Sequence, residues 1–414
     1  MRRRSVKLCA LGVVAVATIG ACKAVEELQD HLSGVQFEMR TLKLDVAKGT
    51  FVTRTPPPTK RQPQVIVHGG AIYALGGIDG SLRPQAAVEK YDPATDTWTT
   101  LAPWPSPRVT DEFFELGGQL CTLGGLLSSN GNVLTCYDPA KNTWADRAAM
   151  PDSAGKGAFR AVVAGGALYA FAQAGQTQTG DAGAFDATTY DEAGTDAGPT
   201  PGDLAPTDFY TYDPAKDAWT QKASAPFDCS SARSSVGPGL DAMVAIGAKI
   251  YVIGCQEKLA STTAVTVSDL VYDTAADSWS EIPPSPVGAR GAFVISGKIV
   301  AVSDAAPFVS TFDPAGGHWS VTKAAPPPFL AAGGLGLLPD ATGVFYFDMS
   351  DIVGKQQVYN GEVWRYDVTA DTWTKVATLT RDLDPSYFPG FVPVLLGTDP
   401  YLVGGWESAV LTIH

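Results

Sequence analysis

A phrase of eight residues that occurs six times constrains this chain more than any other feature. The first copy runs from Tyr91 to Trp98, with Asp92 in second place and Pro93 in third. The spacing inside the phrase is fixed, whereas the distance from one copy to the next varies from 40 to 75 residues. This pattern is typical of one structural unit that is repeated with loops of different length. The other copies occupy residues 137–144, 212–219, 272–279, 312–319 and 366–373.

Each copy predicts a tight β-hairpin. An Asp-Pro pair favours a turn, because the proline ring presets φ and the aspartate accepts hydrogen bonds from the N–H groups that follow it. If Tyr91 lies opposite Trp98, both rings project from one face of the hairpin. Each ring can remove about 150–250 Å² from water. A lone hairpin cannot bury such a face, so we expect the repeats to pack against one another.

A second hairpin precedes each phrase. It is clearest at residues 65–77, where an apolar run meets Gly69-Gly70 and a second apolar run ends at Gly76-Gly77. Two hairpins per repeat predict a four-stranded antiparallel sheet. The pattern returns at residues 113–125 and, more weakly, at 162–171, 244–255, 293–302, 330–347 and 391–405.

The combination of a double glycine, a tyrosine and a later tryptophan resembles the kelch repeat. The resemblance covers nearly all of the chain from about residue 40 onward, although Gly254-Cys255 replaces one double glycine and others are lost. Kelch repeats form the blades of a β-propeller, in which strand a lines a central channel and strand d is outermost. The resemblance therefore implies an all-β fold, and the 43 glycines and 30 prolines agree with a turn-rich β protein.

The number of blades depends on the amino-terminal end. There are seven upstream hairpins but six phrases, and residues 44–51 match the phrase with Leu44 for tyrosine and Phe51 for tryptophan. We expect residues near 40–55 to supply the outer strands of the blade whose inner strands come from residues 391–405, which closes the ring. This predicts seven blades, and six is the alternative if the match is chance. Whether residues 409–413 add a third carboxy-terminal strand stays open.

The amino terminus has the pattern of an export signal. Basic residues precede an apolar run over residues 8–19, which is too short for a comfortable transmembrane helix. The end of this run, residues 19–22, resembles a bacterial lipobox, which implies cleavage before Cys22 and lipidation of its side chain. An ordinary signal peptide is the alternative. Lys23 favours the outer membrane by analogy with such lipoproteins.

Three segments follow from these observations. We predict a signal peptide at residues 1–21, a lipidated tether at 22–37 and a propeller at 38–414. The expected location is the outer membrane or the cell surface, and a periplasmic or secreted protein is the alternative. The membrane is reached through the lipid anchor.

The cysteine count agrees with export. Two of the six cysteines belong to the signal and to the lipidation site, so four remain in the propeller. The register of strands b and c predicts that Cys121 lies opposite Cys136, as a cross-strand disulfide requires. Cys229 in a d–a loop and Cys255 at the end of the next strand b fall at the same end of the propeller, which predicts a second disulfide. Four free buried thiols are the alternative.

The two ends of the propeller differ in sequence. The a–b and c–d turns share one end, and the b–c and d–a loops share the other. The c–d turns are uniform, whereas the b–c loops vary, and the longest, residues 173–207, is acidic and low in complexity. We predict that the variable end is the interaction surface, with drift in tolerant loops as the alternative. Five basic residues in d–a loops are candidates for an anion site at the channel mouth, with loop solvation or packing on Trp or Pro as the alternative: Arg61, Arg108, Lys156, Arg233 and Arg290.

Composition narrows the function. A net charge of −13 at pH 7 argues against a nucleic-acid partner. Kelch-type copper oxidases use two histidines and two tyrosines, and the four histidines here (His31, His68, His318 and His414) do not converge. We predict a protein without cofactor or metal that binds a protein, peptide or glycan partner in the cell envelope. The alternatives are a metal-free sugar mutarotase or isomerase, for which Glu112 and Arg108 are the candidate pair, and a purely structural envelope protein. Whether any catalysis occurs, and the oligomeric state, stay open.

Overall fold

A computed structural model describes most of the chain from residue 35 onward. Its strands form seven four-stranded antiparallel sheets and two smaller ones. Among the residues described, no helix is long and apolar enough to cross a bilayer. These residues are 35–36, 39–79, 83–107, 113–125, 132–151, 160–171, 207–226, 229, 243–258, 265–286, 291–303, 309–325, 327, 335–348, 351–353, 356–358, 361–378, 391–404 and 407–408.

The strands follow one another in a regular order along the first part of the chain. Strand β1 is Val35–Gln36, and blade 1 begins with β2 (Arg40–Asp45) and β3 (Thr50–Arg54). Blade 2 contains β4 (Gln62–His68), β5 (Ala71–Ile78), β6 (Val88–Asp92) and β7 (Thr97–Thr100). Blade 3 contains β8 (Phe114–Leu116), β9 (Gln119–Leu123), β10 (Val133–Asp138) and β11 (Thr143–Ala149). Blade 4 contains β12 (Ala161–Ala164), β13 (Ala167–Phe171), β14 (Thr207–Asp213) and β15 (Ala218–Ala225).

The second part of the chain completes the set. Blade 5 contains β16 (Met243–Ile246), β17 (Lys249–Lys258), β18 (Val265–Asp273) and β19 (Ser278–Ile282). Blade 6 contains β20 (Gly291–Ile295), β21 (Lys298–Val302), β22 (Val309–Asp313) and β23 (His318–Val321). Blade 7 contains β24 (Leu335–Pro339), β25 (Gly343–Asp348), β28 (Glu362–Asp367) and β29 (Thr372–Thr378), with a small hairpin of β26 (Asp351–Val353) and β27 (Gln356–Val358) between β25 and β28. The last strands are β30 (Phe391–Leu396), β31 (Asp399–Gly404) and β32 (Glu407–Ser408).

Blade 1 joins the two ends of the chain. Strand β31 pairs with β2, from Arg40 opposite Gly404 to Lys43 opposite Tyr401, and the sheet order is β3-β2-β31-β30. Strand β30 contacts β4 of blade 2 on one side and β24 of blade 7 on the other. The predictions of seven blades and of closure within one sheet are confirmed, and the alternative of six blades is wrong. The short strand β32 pairs with β1 rather than with a blade.

Each seam between neighbouring blades contains its own hydrophobic core. In the seam between blades 2 and 3, for example, Tyr73 and Leu75 of one blade meet Leu120 and Tyr137 of the other. Seven such clusters are present, one for each seam. The paired rings of the repeated phrase contribute to these cores. Tyr91 lies opposite Trp98 as predicted, and the same register recurs in the other copies.

A polar contact that we call the interblade clamp accompanies these cores. In the seam between blades 3 and 4, the Tyr212 hydroxyl donates to Asp217 Oδ1 over 2.6 Å, and the same oxygen accepts the Ala148 N–H over 2.8 Å. The Trp219 indole donates to the Ala148 carbonyl over 2.8 Å. The backbone N–H and C=O of one residue of blade 3, Ala148, are therefore both bonded to blade 4. Equivalent clamps are formed around Thr55 by Asp96 and Trp98, around Ala102 by Asn142 and Trp144, and around Ala223 by Asp277 and Trp279.

The clamp aspartate also needs an unusual backbone. Asp217 has a φ of 48°, in the left-handed region that aspartate and asparagine tolerate better than most residues. The seam between blades 5 and 6 shows what happens when the clamp loses a partner. There the held residue is Pro283, which has no N–H to donate, and Gly317 with a φ of 65° replaces the aspartate. Phe312 replaces the tyrosine, and Trp319 still donates to the Pro283 carbonyl over 2.7 Å.

The side chain that faces each clamp differs from seam to seam. It belongs to the residue three positions after the tryptophan (or Phe51). In three of the four seams whose clamp is an aspartate this residue is a cation, and its charge adds to the hydrogen bonds that lower the pKa of that carboxyl: Arg54 for Asp96, Arg147 for Asp217 and Lys222 for Asp277. In the fourth, between blades 6 and 7, Thr322 stands there and its hydroxyl donates to Asp371. An apolar residue packs into the seams whose clamp position is uncharged: Leu101 with Asn142, Ile282 with Gly317 and Val376 with Gly49.

We expect Asp217→Ala to destabilise the propeller by about 1–3 kcal/mol, because the buried Tyr212 hydroxyl and the Ala148 N–H lose their acceptor. Asp217→Asn is expected to cost less, since Asn142 performs the same task with an amide oxygen. Urea unfolding followed by tryptophan fluorescence measures both. Equal losses for the two variants would contradict the clamp.

The clamps also predict a dependence of stability on acid. The Ala148 N–H, and then the Tyr212 hydroxyl, lower the pKa of Asp217 from its ordinary value of 3.8. A carboxyl with a lowered pKa in the folded state stabilises fully above its unfolded value, and this contribution is lost as pH falls through the folded value. We expect the triple variant Asp96→Asn, Asp217→Asn and Asp277→Asn to lose less stability than the wild type between about pH 5 and pH 2. Asn142→Asp is the matched control and should steepen the loss, as measured by urea unfolding at each pH.

Candidate interaction surfaces of the propeller

The two ends of the propeller are built differently. At one end every c–d turn spans four residues, as between Asp92 and Thr97. The a–b turns are shorter still, with two residues in six blades, as between Leu116 and Gln119, and three in blade 7. Aspartate begins each c–d turn and accepts the following N–H groups, as Asp138 does from Ala140 over 3.0 Å. We call this the short-turn end. Its uniformity follows from the local hydrogen bonds of the repeated phrase.

The opposite end, which we call the loop end, varies from blade to blade. The b–c connection runs only from Val302 to Val309 in blade 6 but from Phe171 to Thr207 in blade 4. The d–a connections vary as well, from residues 55–61 to residues 226–242. The sequence prediction that length variation is concentrated at this end is confirmed by the strand bounds. The long insertion at residues 173–207 lies outside the described residues except for Thr207, which begins β14.

Two-stranded ribbons extend beyond the sheets at the loop end. Strands β17 and β18 of blade 5 stay paired as far as Lys258 opposite Val265. The β26–β27 hairpin stands on the b–c connection of blade 7, and β1 with β32 continues the central pair of blade 1. Loops at this end therefore present additional backbone structure as well as side chains.

Arg61 is the one residue of the predicted anion site that lies within the described residues. Its side chain is fully buried, and its Nη1 lies 2.7 Å from Glu89 Oε2, which is buried equally. Nε and Nη2 donate to the carbonyl oxygens of Gly76 and Ala74 over 2.5 and 2.9 Å. Burial lowers the pKa of the Arg61 guanidinium, and the Glu89 carboxylate opposes that shift. Contrary to the prediction, Arg61 is not available to an anionic ligand, because its donors are used inside blade 2.

The other four predicted cations lie outside the described residues: Arg108, Lys156, Arg233 and Arg290. The same holds for Cys22 and for Glu112 of the candidate isomerase pair. Arg108 follows Ala102 by the same six residues that separate Arg61 from Thr55, and these two are the held residues of neighbouring clamps. That spacing is the signal in the sequence that separates a structural arginine from a ligand-binding one.

The double glycine beside Arg61 has a steric cause. Gly77 has a φ of 94°, and a Cβ atom there would lie 1.9 Å from the Gln62 carbonyl oxygen. A Cβ atom on Gly76 would lie 3.0 Å from the Trp104 ring, which stacks on Trp144 at 5.3 Å between ring centroids. The glycine pair therefore lets the d–a connection pass close to the end of strand b.

Comparison with known proteins agrees with this architecture. A family model described as "Kelch motif" matches residues 61–103. Beta-scruin of Limulus polyphemus is 36% identical over 88 residues, which cover 19% of this chain and 10% of that protein. Kelch-like protein 35 of Mus musculus is 25% identical over 197 residues, 47% of this chain and 27% of that protein. Kelch-like protein terF of Aspergillus terreus is 25% identical over 303 residues, 66% of this chain and 57% of that protein.

The repeated phrase, the seven blades and these similarities agree. The chain is a kelch-repeat β-propeller. It spans between 10% and 57% of the length of the three relatives above.

Two disulfides strengthen the kelch propeller, and both join the cysteines that the sequence predicted. Cys121 and Cys136 lie opposite each other in strands b and c of blade 3. Cys229 bonds to Cys255 at the loop end of blade 5. Cys229 stands six residues after Ala223, where blade 2 has Arg61, and Cys255 stands in the place of the second glycine. A covalent link thus connects the same two segments that the hydrogen bond from Arg61 Nε to the Gly76 carbonyl connects in blade 2.

The histidines do not form a metal site in the described part of the propeller. The His68 Nδ1 lies 3.0 Å from Glu115 Oε2 at the short-turn end. His318 begins β23 of blade 6 at the same end, and His31 and His414 lie outside the described residues. Among the residues described, no group of three or more His, Cys, Asp or Glu side chains is placed to hold a metal ion.

The sequence analysis did not single out a groove at the short-turn end. It lies between blades 3 and 4 and has a volume of about 410 Å³. Residues 116–119, the turn around Asp138 and Lys141, and the side chains of Arg147, Tyr212 and Pro214 line it. We call it the blade 3–4 groove. The sequence signals are Gln119 directly after a double glycine and Arg147 three residues after Trp144, and neither belongs to the repeated phrase.

The buried ion pair of blade 2 yields a stability prediction. We expect Arg61→Met to destabilise the propeller by about 3–5 kcal/mol, because the Glu89 carboxylate is left buried without its cation. Arg61→Met combined with Glu89→Gln should cost less than the single variant. Urea unfolding of the wild type, both single variants and the double variant gives the coupling energy. An additive double variant would show that the two side chains do not act as a pair.

Proposed function

We propose that this kelch propeller is an exported, lipid-anchored protein of the cell envelope whose loop end binds a protein partner. The observation that carries the proposal is the concentration of length variation at the loop end, while the c–d turns of the short-turn end have the same length in every blade. Loops on a rigid scaffold are where proteins commonly place binding residues. Kelch propellers are typically protein-interaction domains, which favours a protein over a glycan as the partner.

The envelope location is supported by features of the sequence and by the disulfides. Residues 1–21 have the layout of an export signal, and Cys22 ends the lipobox-like phrase. Two disulfides are expected in an oxidising compartment rather than in a reducing one. Residues 22–37 act as the tether. Lipid chains attached at Cys22 provide stable membrane attachment when more than one chain is present.

A comparison of two bait variants tests the binding surface. In the first, a short Gly-Ser linker replaces residues 176–203 of the loop end. In the second, Lys48→Glu and Lys216→Glu change two exposed side chains of the short-turn end. We expect one envelope protein to be captured by the wild type and by the second bait, with at least about tenfold less captured by the first. Equal capture by all three baits, or loss with the short-turn variant, would place the partner elsewhere.

Processing of the precursor tests the anchor separately. Globomycin, which blocks the lipoprotein signal peptidase, should cause the precursor to accumulate, and Cys22→Ala should abolish incorporation of labelled fatty acid. A propeller that is released to the medium by both the wild type and Cys22→Ala would contradict lipid anchoring without affecting the binding surface.

A further inference from the structure

We propose that the blade 3–4 groove binds a small carboxylate through Arg147. The groove lies at the short-turn end, opposite the loops of the proposed partner surface. Its volume of about 410 Å³ falls in the range of small-ligand sites. The inference therefore stands on different residues from the proposed function.

The charge of the groove comes from Arg147. Its Nη2 donates to Gln119 Oε1 over 2.7 Å, which orients the guanidinium. In the part of the chain that the structure describes, this is the one acceptor within hydrogen-bond distance of Arg147, and no carboxylate lies within ion-pair distance of it. A guanidinium has five N–H donors, so most of its hydrogen-bonding capacity faces the groove. A planar carboxylate is the group that matches such a fork.

The other charges of the groove neutralise each other. Lys141 Nζ lies 2.8 Å from Asp138 Oδ2, and that oxygen also accepts a long hydrogen bond from Gln119 Nε2 at 3.4 Å. The Asp217 carboxylate offsets part of the Arg147 charge, but its Oδ1 is bonded to the Ala148 N–H and the Tyr212 hydroxyl rather than to the guanidinium. An incoming anion therefore meets a cation that Gln119 orients and that no carboxylate of the described residues pairs with directly.

The lining of the groove is mostly polar, and the buried side chains of Leu116, Cys136 and Tyr212 supply its smaller apolar part. Gly117 and Gly118 stand beside them, and a Cβ atom on either would meet no other atom within 4 Å. The glycine pair thus leaves room for the body of a small ligand whose carboxylate reaches Arg147.

The equivalent cation in the next seam has different neighbours. Lys222 occupies the position of Arg147 one blade later, and its Nζ lies 3.5 Å from Asp277 Oδ2. The residue that corresponds to Gln119 in blade 4 is Ala167, which has no amide to orient a cation. Lys222 is therefore a matched control for a cation that serves only the clamp.

Titration calorimetry of the full propeller with benzoate tests the proposal, with benzamide as its neutral analogue. We expect one benzoate per chain and binding of benzamide that is weaker by about tenfold or more, because the amide cannot form charge-assisted hydrogen bonds with Arg147. Arg147→Leu should weaken benzoate binding by about tenfold, and Gln119→Ala by a smaller factor. Lys222→Met should leave it unchanged within about twofold.

Controls cover the fold and the source of the carboxylate. Circular dichroism checks that each variant is folded. If Arg147→Leu does not fold, Arg147→Lys replaces it in the test; this variant keeps the charge but lacks the planar guanidinium, so its affinity for benzoate should lie between those of the wild type and of a variant without the cation. Acetyl-alanyl-leucine and its carboxamide form a second ligand pair. Tighter binding of this peptide acid assigns the groove to a peptide carboxy terminus, and tighter binding of benzoate assigns it to a free acid. Absent benzoate binding, equal affinity for benzamide, or an equal loss with Lys222→Met would overturn the proposal.

Discussion

The contact on which this propeller depends is the pair of hydrogen bonds that one blade makes to the backbone N–H and C=O of a single residue of the blade before it. A four-stranded sheet with aromatic rings on its flanks is not stable alone, so every blade needs two neighbours at a defined height and angle. Burial of Tyr212 and its neighbours supplies the attraction, but apolar surface alone does not select one register. The hydrogen bonds of Asp217 and Trp219 to Ala148 select it, because both can form only when the two blades are aligned. Repetition of this contact around the axis turns separate hairpins into a ring.

The exceptions to the clamp have the same physical basis as the clamp itself. Pro283 lacks an N–H, and the chain places Gly317 where an aspartate would have nothing to accept. In the seam between blades 7 and 1, Gly49 stands where a Cβ atom would lie 2.7 Å from the Val376 carbonyl oxygen, so the contact is one of shape rather than of hydrogen bonds. Charged and uncharged seams also differ in what faces them, as Arg147 and Leu101 illustrate. The seams are therefore related but not interchangeable, which favours one order of blades over others.

The two ends of the propeller are stabilised by different contacts. At the short-turn end the repeated phrase uses its own aspartate to satisfy the turn, which leaves little freedom in length. At the loop end the chain crosses from one blade to the next, and additional contacts hold the d–a connection against the strands of the blade that it enters. Blade 2 supplies these with Arg61 and Glu89, and blade 5 supplies them with Cys229 and Cys255. Because these contacts hold the ends of the connections in place, the loops between them can vary in length without disturbing the packing between blades.

The sequence alone determined the local structure and the count of blades, because turn chemistry and a period-2 pattern act between residues close in the chain. It therefore predicted Tyr91 opposite Trp98, the match of Leu44 and Phe51 to the phrase, and Cys121 opposite Cys136. Only the tertiary structure decided what each cation does. Arg61 precedes strand a of blade 2 and Arg147 lies in the outer strand of blade 3; one is enclosed by carbonyl oxygens and a carboxylate, and the other borders an open groove. The difference lies in contacts across strands and blades, where burial and the direction of a side chain arise from the packing of distant segments.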